Sequence, residues 1–203
     1  MTIVRPARPD DAVVAAVLLN LSMGNTAQLL IDDEGGRSPA DLLAALFLHR
    51  GRFDYRLGTI MELDDAVAGL LVSFPASGLV MLDLLTGFSL LSLMGWRGVV
   101  RLRQRTLPLA FMREAERGEY YISNIGVLPE FQRRGCGTQL MAFAEEQARG
   151  RGLKRCSLIV DENNFGAVRL YRRLGYEIQN ADRLQRDRNK MQKGYHRMVK
   201  ELM

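Results

Sequence analysis

The sequence predicts a mixed α/β fold in which a twisted, mostly antiparallel β-sheet carries helices on both faces. Two observations lead to this prediction. Short segments with strand periodicity alternate with segments of helical periodicity along the 203 residues. Residues 119–160 have the order strand, helix, strand, so the two strands of this unit should be parallel. A helical insertion, residues 77–118, is expected between the third and fourth strands.

The first half of the chain is expected to form three strands and two helices. Their residues are 2–5 (strand), 12–21 (helix), 40–49 (helix), 55–63 (strand) and 66–74 (strand). Asp10 or Asp11 is placed to cap the first helix, and Ser38 followed by Pro39 is a start signal for the second. The last two strands should pair around the acidic turn at residues 63–65.

The second half should add four strands and two helices to the same sheet. The strands are 119–128, 155–160, 176–178 and 195–201, and the helices are 138–149 and 165–174. Leu140, Phe143 and Ala144 share one apolar face of the first of these helices, as expected for a helix packed on a sheet. Residues 155–160 end in a continuous apolar run that favours a central strand. Residues 181–193 are polar and basic and are expected to form a connection.

Length and composition predict a single domain over residues 1–203. The chain is 47% hydrophobic and 25% charged, which excludes collagen-like, coiled-coil and disordered classes. Lysine and arginine number 28 against 23 acidic residues, giving a net charge of +5. This mild excess suits an anionic ligand, but the charges do not form one long block, so no nucleic-acid partner is expected.

Cysteine and histidine usage points to a reducing compartment and to a protein without metal. Cys136 and Cys156 are too few for a disulfide framework and lack CxxC spacing. His49 and His196 lie too far apart in sequence to form a zinc motif. The first residues contain no apolar signal-peptide core. We therefore expect a cytoplasmic protein, with Cys136 a small residue in a tight loop and Cys156 in the core.

One segment, residues 78–96, approaches the length of a membrane span. Asp83 lies inside it, and a carboxylate inside a membrane is costly. The sequence therefore favours a buried or lid-forming pair of helices and no membrane partner. Packing in the core, packing in a homodimer and a lid over a binding site all remain open. An arginine row typical of a solvated helix face follows the segment: Arg97, Arg101, Arg103 and Arg105.

A glycine-containing basic loop is predicted between the strand that ends near Val127 and the helix that follows. Gly135 and Gly137 would let the backbone approach a ligand closely, and the helix start presents free N–H groups. Arg133 and Arg134 add positive charge. A pyrophosphate fits this pattern, although the loop alone is also compatible with a plain strand-to-helix turn.

A second motif follows about thirty residues later. Residues 163–176 read NNFGAVRLYRRLGY, and residues 132–137 read QRRGCG. Together they closely resemble the GNAT superfamily of acetyl-CoA-dependent N-acetyltransferases, whose pattern is Q/R-x-x-G-x-G/A followed by N-x-x-A-x-x-L-Y-x-x-x-G-F/Y. The resemblance is specific over residues 120–178 and looser over residues 3–74. It implies the acyl-CoA N-acyltransferase-like form of the predicted fold, and residues 77–118 are not part of the family's common core.

The resemblance also implies acetyl-CoA as the cosubstrate. In the family, the strand equivalent to residues 120–128 separates from the strand equivalent to 155–160, and the pantetheine arm bonds to the exposed backbone. Gly126 is compatible with a bulge there. The cofactor-binding residues implied in this way are Ile125, Gly126, Val127, Gln132, Arg133, Arg134, Gly135, Cys136, Gly137, Thr138 and Asn164.

Tyr171 resembles the family's general acid, because a phenol with a pKa of about 10 is protonated at neutral pH. Read in isolation, the Leu170-Tyr171 pair favours a core aromatic residue on an amphipathic helix. A backbone N–H near Val127 would stabilise the oxyanion. The general base stays unassigned, because residues 120–124 contain no carboxylate and Glu119 stands at the strand's start. Water held by Ser123 or Asn124, or a residue of the insertion, are the alternatives.

The predicted function is transfer of an acetyl group from acetyl-CoA to a primary amine by direct attack in a ternary complex. The acceptor, a small molecule or a peptide, is not encoded in the motifs. A non-catalytic acyl-CoA-binding sensor is the alternative, and the absent strand carboxylate motivates it. A nucleic-acid-binding protein ranks third, on the basis of the arginine-rich runs.

Overall fold

Seven strands form one sheet in the order β1-β2-β3-β4-β5-β7-β6 in the computed structural model, which describes residues 1–24, 38–106, 114–179 and 194–203. The strands are β1 (Thr2–Pro6), β2 (Gly58–Leu63), β3 (Ala66–Pro75), β4 (Glu119–Val127), β5 (Arg155–Asp161), β6 (Glu177–Ile178) and β7 (Tyr195–Glu201). The helices are α1 (Ala12–Met23), α2 (Pro39–Leu48), α3 (Leu79–Thr106), α4 (Cys136–Gly150) and α5 (Phe165–Arg173).

The pairing of the strands confirms the predicted fold class. The pairs β1–β2, β2–β3, β3–β4, β5–β7 and β6–β7 are antiparallel. The pair β4–β5, which α4 connects, is parallel, as expected for a strand–helix–strand unit. Helix α3 lies between β3 and β4, where the insertion was predicted. The basic connection predicted at residues 181–193 lies outside the described residues.

Helices cover both faces of the sheet, as predicted. On one face, α4 and α5 pack against the strands, with Leu140 and Tyr171 close to Ile122 in a single apolar cluster. On the other face, α1 and α2 form a second cluster in which Leu18 and Phe47 pack against the sheet. Strand β4 contributes side chains to both clusters, because successive side chains of a strand point to opposite faces of the sheet.

The two aspartates expected to cap α1 do not do so. Asp11 occupies the N-cap position, but its carboxylate accepts no hydrogen bond from α1. It accepts hydrogen bonds from both terminal nitrogens of Arg5, each at 2.8 Å, and from the Arg8 amide at 2.7 Å. The charge-assisted pairing with Arg5 therefore replaces the cap. At α2 the prediction is confirmed, because the Ser38 hydroxyl accepts a hydrogen bond from the Asp41 amide at 3.1 Å.

Strand β4 separates from β5 halfway along its length. The parallel ladder begins at Glu119 and ends at Ile122, which pairs with Leu158. On its other side β4 carries a bulge, because Val72 pairs with Asn124 and Ser73 with Ile122, which leaves Ser123 as the extra residue. The bulge therefore lies at Ser123 and not at Gly126. Beyond this point the edge of β4 that faces β5 is unpaired.

Gly126 is required by close packing and not by a bulge. A Cβ atom added to it would lie 2.4 Å from the Leu18 carbonyl oxygen and 3.1 Å from the Leu18 carbonyl carbon. Both atoms belong to the backbone of α1, which cannot move away as a side chain would. The contact therefore sets the distance between α1 and β4.

Replacing Gly126 by alanine should lower the free energy of unfolding by about 1–3 kcal/mol, because overpacking forces backbone shifts. For a domain of this size the midpoint of thermal unfolding should fall by about 2–4 °C per kcal/mol. Gly150→Ala is the matched control, since no atom lies within 4 Å of its added Cβ. Circular dichroism melts would measure both variants. A midpoint for Gly126→Ala equal to that of Gly150→Ala would contradict the packing argument.

Helix α3 is largely exposed, which argues against core packing of the insertion, whereas packing in a homodimer and a lid over a binding site stay open. It is kinked at Gly95, whose φ of 67° is not helical. By length and composition alone, Ala76–Gln104 could cross a membrane, and only 6% of its most apolar stretch is buried. Several of its large apolar side chains are exposed: Val80, Met81, Leu84, Phe88, Leu91 and Trp96. The helix packs on α2 along one side and leaves the other side open.

Candidate active site

A cavity of about 1250 Å³ opens where β4 and β5 separate. Its wall combines the second half of β4, the loop before α4, the first turn of α4, and α5. All of the predicted site residues except Arg134 line it: Ile125, Gly126, Val127, Gln132, Arg133, Gly135, Cys136, Gly137, Thr138, Asn164 and Tyr171. The fold thus brings two motifs that are separate in sequence to one cavity.

Arg134 is the predicted residue that does not line the cavity. Its guanidinium donates a hydrogen bond to the Asp64 carboxylate at 3.0 Å, at the turn between β2 and β3. The guanidinium also lies over the Phe131 ring, 5.6 Å from the ring centre. The side chain of Arg134 therefore ties the loop to the neighbouring hairpin, and Arg133 is the arginine of this pair that reaches the cavity.

The loop before α4 forms an anion site from backbone groups. Gly135 is the N-cap of α4 in a left-handed conformation, with φ of 86°, and no side chain caps the helix. The first N–H groups of a 15-residue helix are therefore available at the cavity wall, where the helix dipole favours negative charge. Arg133 also has a positive φ of 61°, a strained conformation that is frequent at ligand-binding loops. Together these groups could hold a pyrophosphate.

Helix α5 places Asn164 and Tyr171 on the same cavity. The Asn164 side-chain oxygen accepts a hydrogen bond from the Ala167 amide at 3.1 Å and caps the helix. The cap uses only the side-chain oxygen and leaves the side-chain amide nitrogen of Asn164 available, so a capping role and a ligand contact are compatible. Tyr171 is 6% exposed, and burial raises the pKa of its phenol to about 12. At neutral pH the phenol is therefore protonated and can donate a proton.

The end of the cavity away from the loop before α4 holds a carboxylate that the sequence motifs did not single out. Glu114, at the end of the insertion, lines the wall beside Arg52 and Tyr121. Its carboxylate accepts hydrogen bonds from Arg52, one of them at 3.1 Å, and from the Tyr121 hydroxyl at 2.6 Å. No motif marks Glu114 in the sequence, and only the position of the insertion in space brings it to the site.

Arg52 lies between two carboxylates near this end of the cavity. Burial acts to raise the pKa of Glu114, but hydrogen bonding and charge from Arg52 outweigh it and hold the pKa below its ordinary value. Arg52 also contacts the Asp83 carboxylate at 3.3 Å. Burial raises the pKa of the Asp83 carboxyl, and Asp83 does not line the cavity, so Glu114 is the carboxylate that this end presents on the wall. For the Tyr121 phenol, burial and the Glu114 charge raise the pKa well above its ordinary value.

A short hydrogen-bonded chain of neutral groups lies between the two ends. The Ser123 hydroxyl donates to the Asn124 side-chain oxygen at 3.1 Å, and the Asn124 amide donates to the Ser22 hydroxyl at 2.9 Å. All three residues line the cavity. The two water-holding candidates named from the sequence, Ser123 and Asn124, thus line the same cavity as Glu114.

Glu119 does not reach the cavity, because its side chain is bound by arginines elsewhere. Its side chain is buried, its two oxygens accept hydrogen bonds from Arg197 at 2.6 and 2.7 Å, and Arg155 lies 3.6 Å away. It is absent from the cavity wall. We therefore assign Glu119 a structural role at the start of β4. Within the described parts of the chain, no group of three or more histidine, cysteine, aspartate or glutamate side chains could hold a metal ion.

The comparisons with known proteins agree with this site. The acetyltransferase (GNAT) family model matches residues 57–176. A mycothiol acetyltransferase from Streptomyces bingchenggensis is 41% identical over 69 residues, which is 34% of this chain and 22% of the relative. This chain therefore spans about a fifth of the length of the curated relative that it matches.

Solved structures share the fold over nearly the whole chain. An N-acetyltransferase from Staphylococcus aureus Mu50 has a TM-score of 0.69 at 20% identity, covering 97% of this chain and 99% of the other. The PaiA N-acetyltransferase from Thermoplasma acidophilum, solved in complex with coenzyme A, has a TM-score of 0.56 at 11% identity and 99% coverage of both chains. The family model includes strands β2 to β5 and helices α4 and α5. The chain therefore belongs to the acetyltransferase (GNAT) family.

Proposed function

We propose that the protein is an N-acetyltransferase that moves the acetyl group of acetyl-CoA to a primary amine of a small molecule or peptide. The observation that carries the proposal is that the two ends of the cavity present groups of opposite charge. One end presents Arg133 and the uncapped first turn of α4, and the other presents Glu114. A polyanionic cosubstrate and a cationic amine can therefore enter the same cavity from opposite ends.

The residues on the wall fit coenzyme A. The amides of residues 136–138 and the guanidinium of Arg133 would bind the pyrophosphate. The pantetheine arm contains peptide-like groups, and the unpaired backbone of Ile125 and Val127 would bond with them. The coenzyme A complex of the Thermoplasma acidophilum neighbour supports this choice of cosubstrate.

In the proposed reaction the amine nitrogen attacks the thioester carbonyl carbon, and the carbon–sulfur bond breaks. Tyr171 donates its proton to the departing sulfur. Before the attack, the protonated amine loses one proton to water held by Ser123 and Asn124, which frees the nitrogen lone pair. After the attack the nitrogen loses a second proton to the same water, and a proton from solvent restores Tyr171, so one proton is released overall. The products are an N-acetyl amine and free coenzyme A thiol. Holding both reactants in one cavity supplies much of the rate enhancement.

Glu114 is proposed to orient the acceptor. Its lowered pKa keeps it ionised at neutral pH, so it accepts hydrogen bonds but is a weak base. A carboxylate of this kind attracts a protonated amine and directs its nitrogen toward β4. We therefore assign deprotonation to water and acceptor binding to Glu114. We also propose that the enzyme acts in the cytoplasm, where its two free buried cysteines would stay reduced.

Calorimetry with acetyl-CoA and detection of released thiol with a panel of amines test the proposal. We expect saturable binding of acetyl-CoA and turnover with at least one amine. Glu114→Gln should raise the KM for the amine by about tenfold or more, since hydrogen bonds to charged groups contribute about 1.5–3 kcal/mol. The affinity for acetyl-CoA should stay unchanged in this variant, which also shows that it is folded.

Glu146→Gln is the matched control, because Glu146 is an exposed carboxylate on α4 away from the cavity. Its kinetic constants should equal those of the wild type. Absence of saturable acetyl-CoA binding would reject the proposed function. Binding without turnover on any amine of the panel would favour a coenzyme sensor instead.

A further inference from the structure

The exposed side of α3 carries a continuous apolar stripe, which we call the α3 outer face: Val80, Met81, Leu84, Phe88 and Leu91. Their exposed fractions are 73%, 60%, 56%, 69% and 43%. The spacing of three and four residues places them along one side of the helix. Contiguous exposed apolar area of this kind marks an interaction site, because a soluble surface rarely keeps it.

The polar side of the same helix faces inward. The Thr86 hydroxyl accepts a hydrogen bond from the Arg52 amide at 2.9 Å, and the Ser89 hydroxyl donates to the Arg50 carbonyl at 2.8 Å. Gly51 lies so close that an added Cβ would be 2.5 Å from the Thr86 hydroxyl oxygen. These hydrogen bonds hold Thr86 and Ser89 toward the protein, on the side where Leu79 and Leu82 pack against the core, and the apolar residues of the α3 outer face stay exposed.

A basic segment continues from the apolar stripe. Gly95 kinks the helix, and Trp96, 73% exposed, stands at the junction. The residues from Arg97 to Gln104 include three arginines and no acidic residue. Arg97 and Arg103 are exposed. A tryptophan between an apolar and a cationic surface is the arrangement that occurs at the boundary of a lipid bilayer.

We propose that the α3 outer face binds the surface of an anionic lipid bilayer and lies in its plane. The apolar stripe would enter the boundary between headgroups and acyl chains, and the exposed Arg97 and Arg103 would contact the anionic headgroups. We choose an anionic bilayer as the partner because the positively charged segment after Trp96 adjoins the apolar face and complements the negative charge of the headgroups.

The geometry favours an in-plane helix over a span. Before the kink, residues 79–94 reach about 24 Å at 1.5 Å per residue, which is short of the roughly 30 Å hydrocarbon core. The bonds of Thr86 and Ser89 also hold one side of α3 on the protein. Only the outer face is therefore available to lipid.

The position of α3 would place a bound bilayer close to the cavity. Asp83 on α3 contacts Arg52, which lines the cavity beside Glu114. A bound bilayer would therefore lie next to the acceptor end. This consequence rests on the proposed function, whereas lipid binding itself does not, and the two are measured separately.

The test is binding to vesicles of phosphatidylcholine containing 30% phosphatidylglycerol, with pure phosphatidylcholine vesicles for comparison. Trp96 is the protein's single tryptophan, so its emission reports on this region directly. We expect cosedimentation with the anionic vesicles, a blue shift of the emission, and weakening of both by salt. Pure phosphatidylcholine should bind far less protein.

Leu84→Glu with Phe88→Glu should reduce vesicle binding by about 100-fold, because two apolar side chains that would be buried in the bilayer are replaced by charged ones. Val13→Glu with Val17→Glu is the matched control, because these exposed valines lie on α1 and the charge change is equal. The control should bind vesicles as the wild type does. Acetyl-CoA affinity and circular dichroism would establish that both variants are folded.

Three outcomes would overturn the proposal. The wild-type protein could stay in the supernatant with anionic vesicles, or the α3 variant could bind them as well as the control does. Alternatively, light scattering could reveal a stable dimer that only the α3 substitutions dissociate, in which case a second copy of the chain covers the face. Thiol release in the absence of vesicles would be unaffected by any of these results, so failure here leaves the proposed function standing.

Discussion

Replacing Tyr171 by phenylalanine should lower kcat by about 100-fold or more, because general acid catalysis contributes about 10²–10⁴-fold. The ring stays, so the packing of α5 and the affinity for acetyl-CoA should be unchanged. Only the proton for the departing sulfur is lost, and this interaction is made in the transition state. Steady-state kinetics and calorimetry on the same preparation would measure both quantities.

Tyr176→Phe is the matched control for this prediction. The Tyr176 ring centre lies 6.2 Å from that of Tyr171, and Tyr176 is equally buried but is absent from the cavity wall. Its kcat should match the wild type. A Tyr171→Phe enzyme with the kcat of the control would show that Tyr171 is a packing residue and that the proton comes from elsewhere.

The pH profile provides a second check on Tyr171. Burial raises the pKa of its phenol to about 12, so the acid form persists throughout the neutral and moderately alkaline range. The wild-type kcat should therefore show no alkaline decline between about pH 7 and pH 10, because such a decline appears only when the acid loses its proton. A decline centred in this range would contradict the assignment.

Replacing Gly137 by aspartate should raise the Kd for acetyl-CoA by about 100-fold, because a unit charge near the phosphates interacts with each of their charges by a few kcal/mol at an effective dielectric constant of about 20. The added Cβ would approach only the Leu170 Cδ2 atom, at 3.3 Å, and a methyl group at the end of a side chain can move. Calorimetry at low and high salt would measure the loss, which salt should partly reverse.

The same substitution should leave the protein as stable as before or slightly more stable. Aspartate is a better helix residue than glycine, and a negative charge in the first turn of α4 interacts favourably with the helix dipole. Opposite effects on binding and on stability separate a disrupted anion site from a misfolded protein. A decrease in both, or in neither, would contradict the assignment of this turn to the phosphates.

Gly150→Asp adds the same charge at the other end of α4, about 20 Å away along the helix axis. Its added Cβ meets no atom within 4 Å. The Kd for acetyl-CoA should remain that of the wild type. Equal losses of affinity in the two variants would mean that net charge, and not the first turn of α4, controls binding.

The local motifs were sufficient to predict the fold class and most of the candidate site. Periodicity located the strands and the helices of the described chain within a few residues, because alternation and helical spacing are read directly from neighbouring residues. The strand–helix–strand order made β4 and β5 parallel neighbours. Of the site residues predicted from the motifs at 132–137 and 163–176, all except Arg134 line the cavity.

By itself, then, the sequence predicted the α/β sheet and marked the helix start at Gly135 and Tyr171 as candidate site residues, because each depends on residues that are close together in the chain. The tertiary structure alone decided the bulge at Ser123, the close approach at Gly126 and the position of Glu114 on the cavity wall. Glu114 and Arg52 are 62 residues apart, and no local pattern encodes such a contact. The outward orientation of the apolar side of α3 also depends on contacts between residues distant in the sequence, since Thr86 and Ser89 form hydrogen bonds with a loop more than thirty residues earlier.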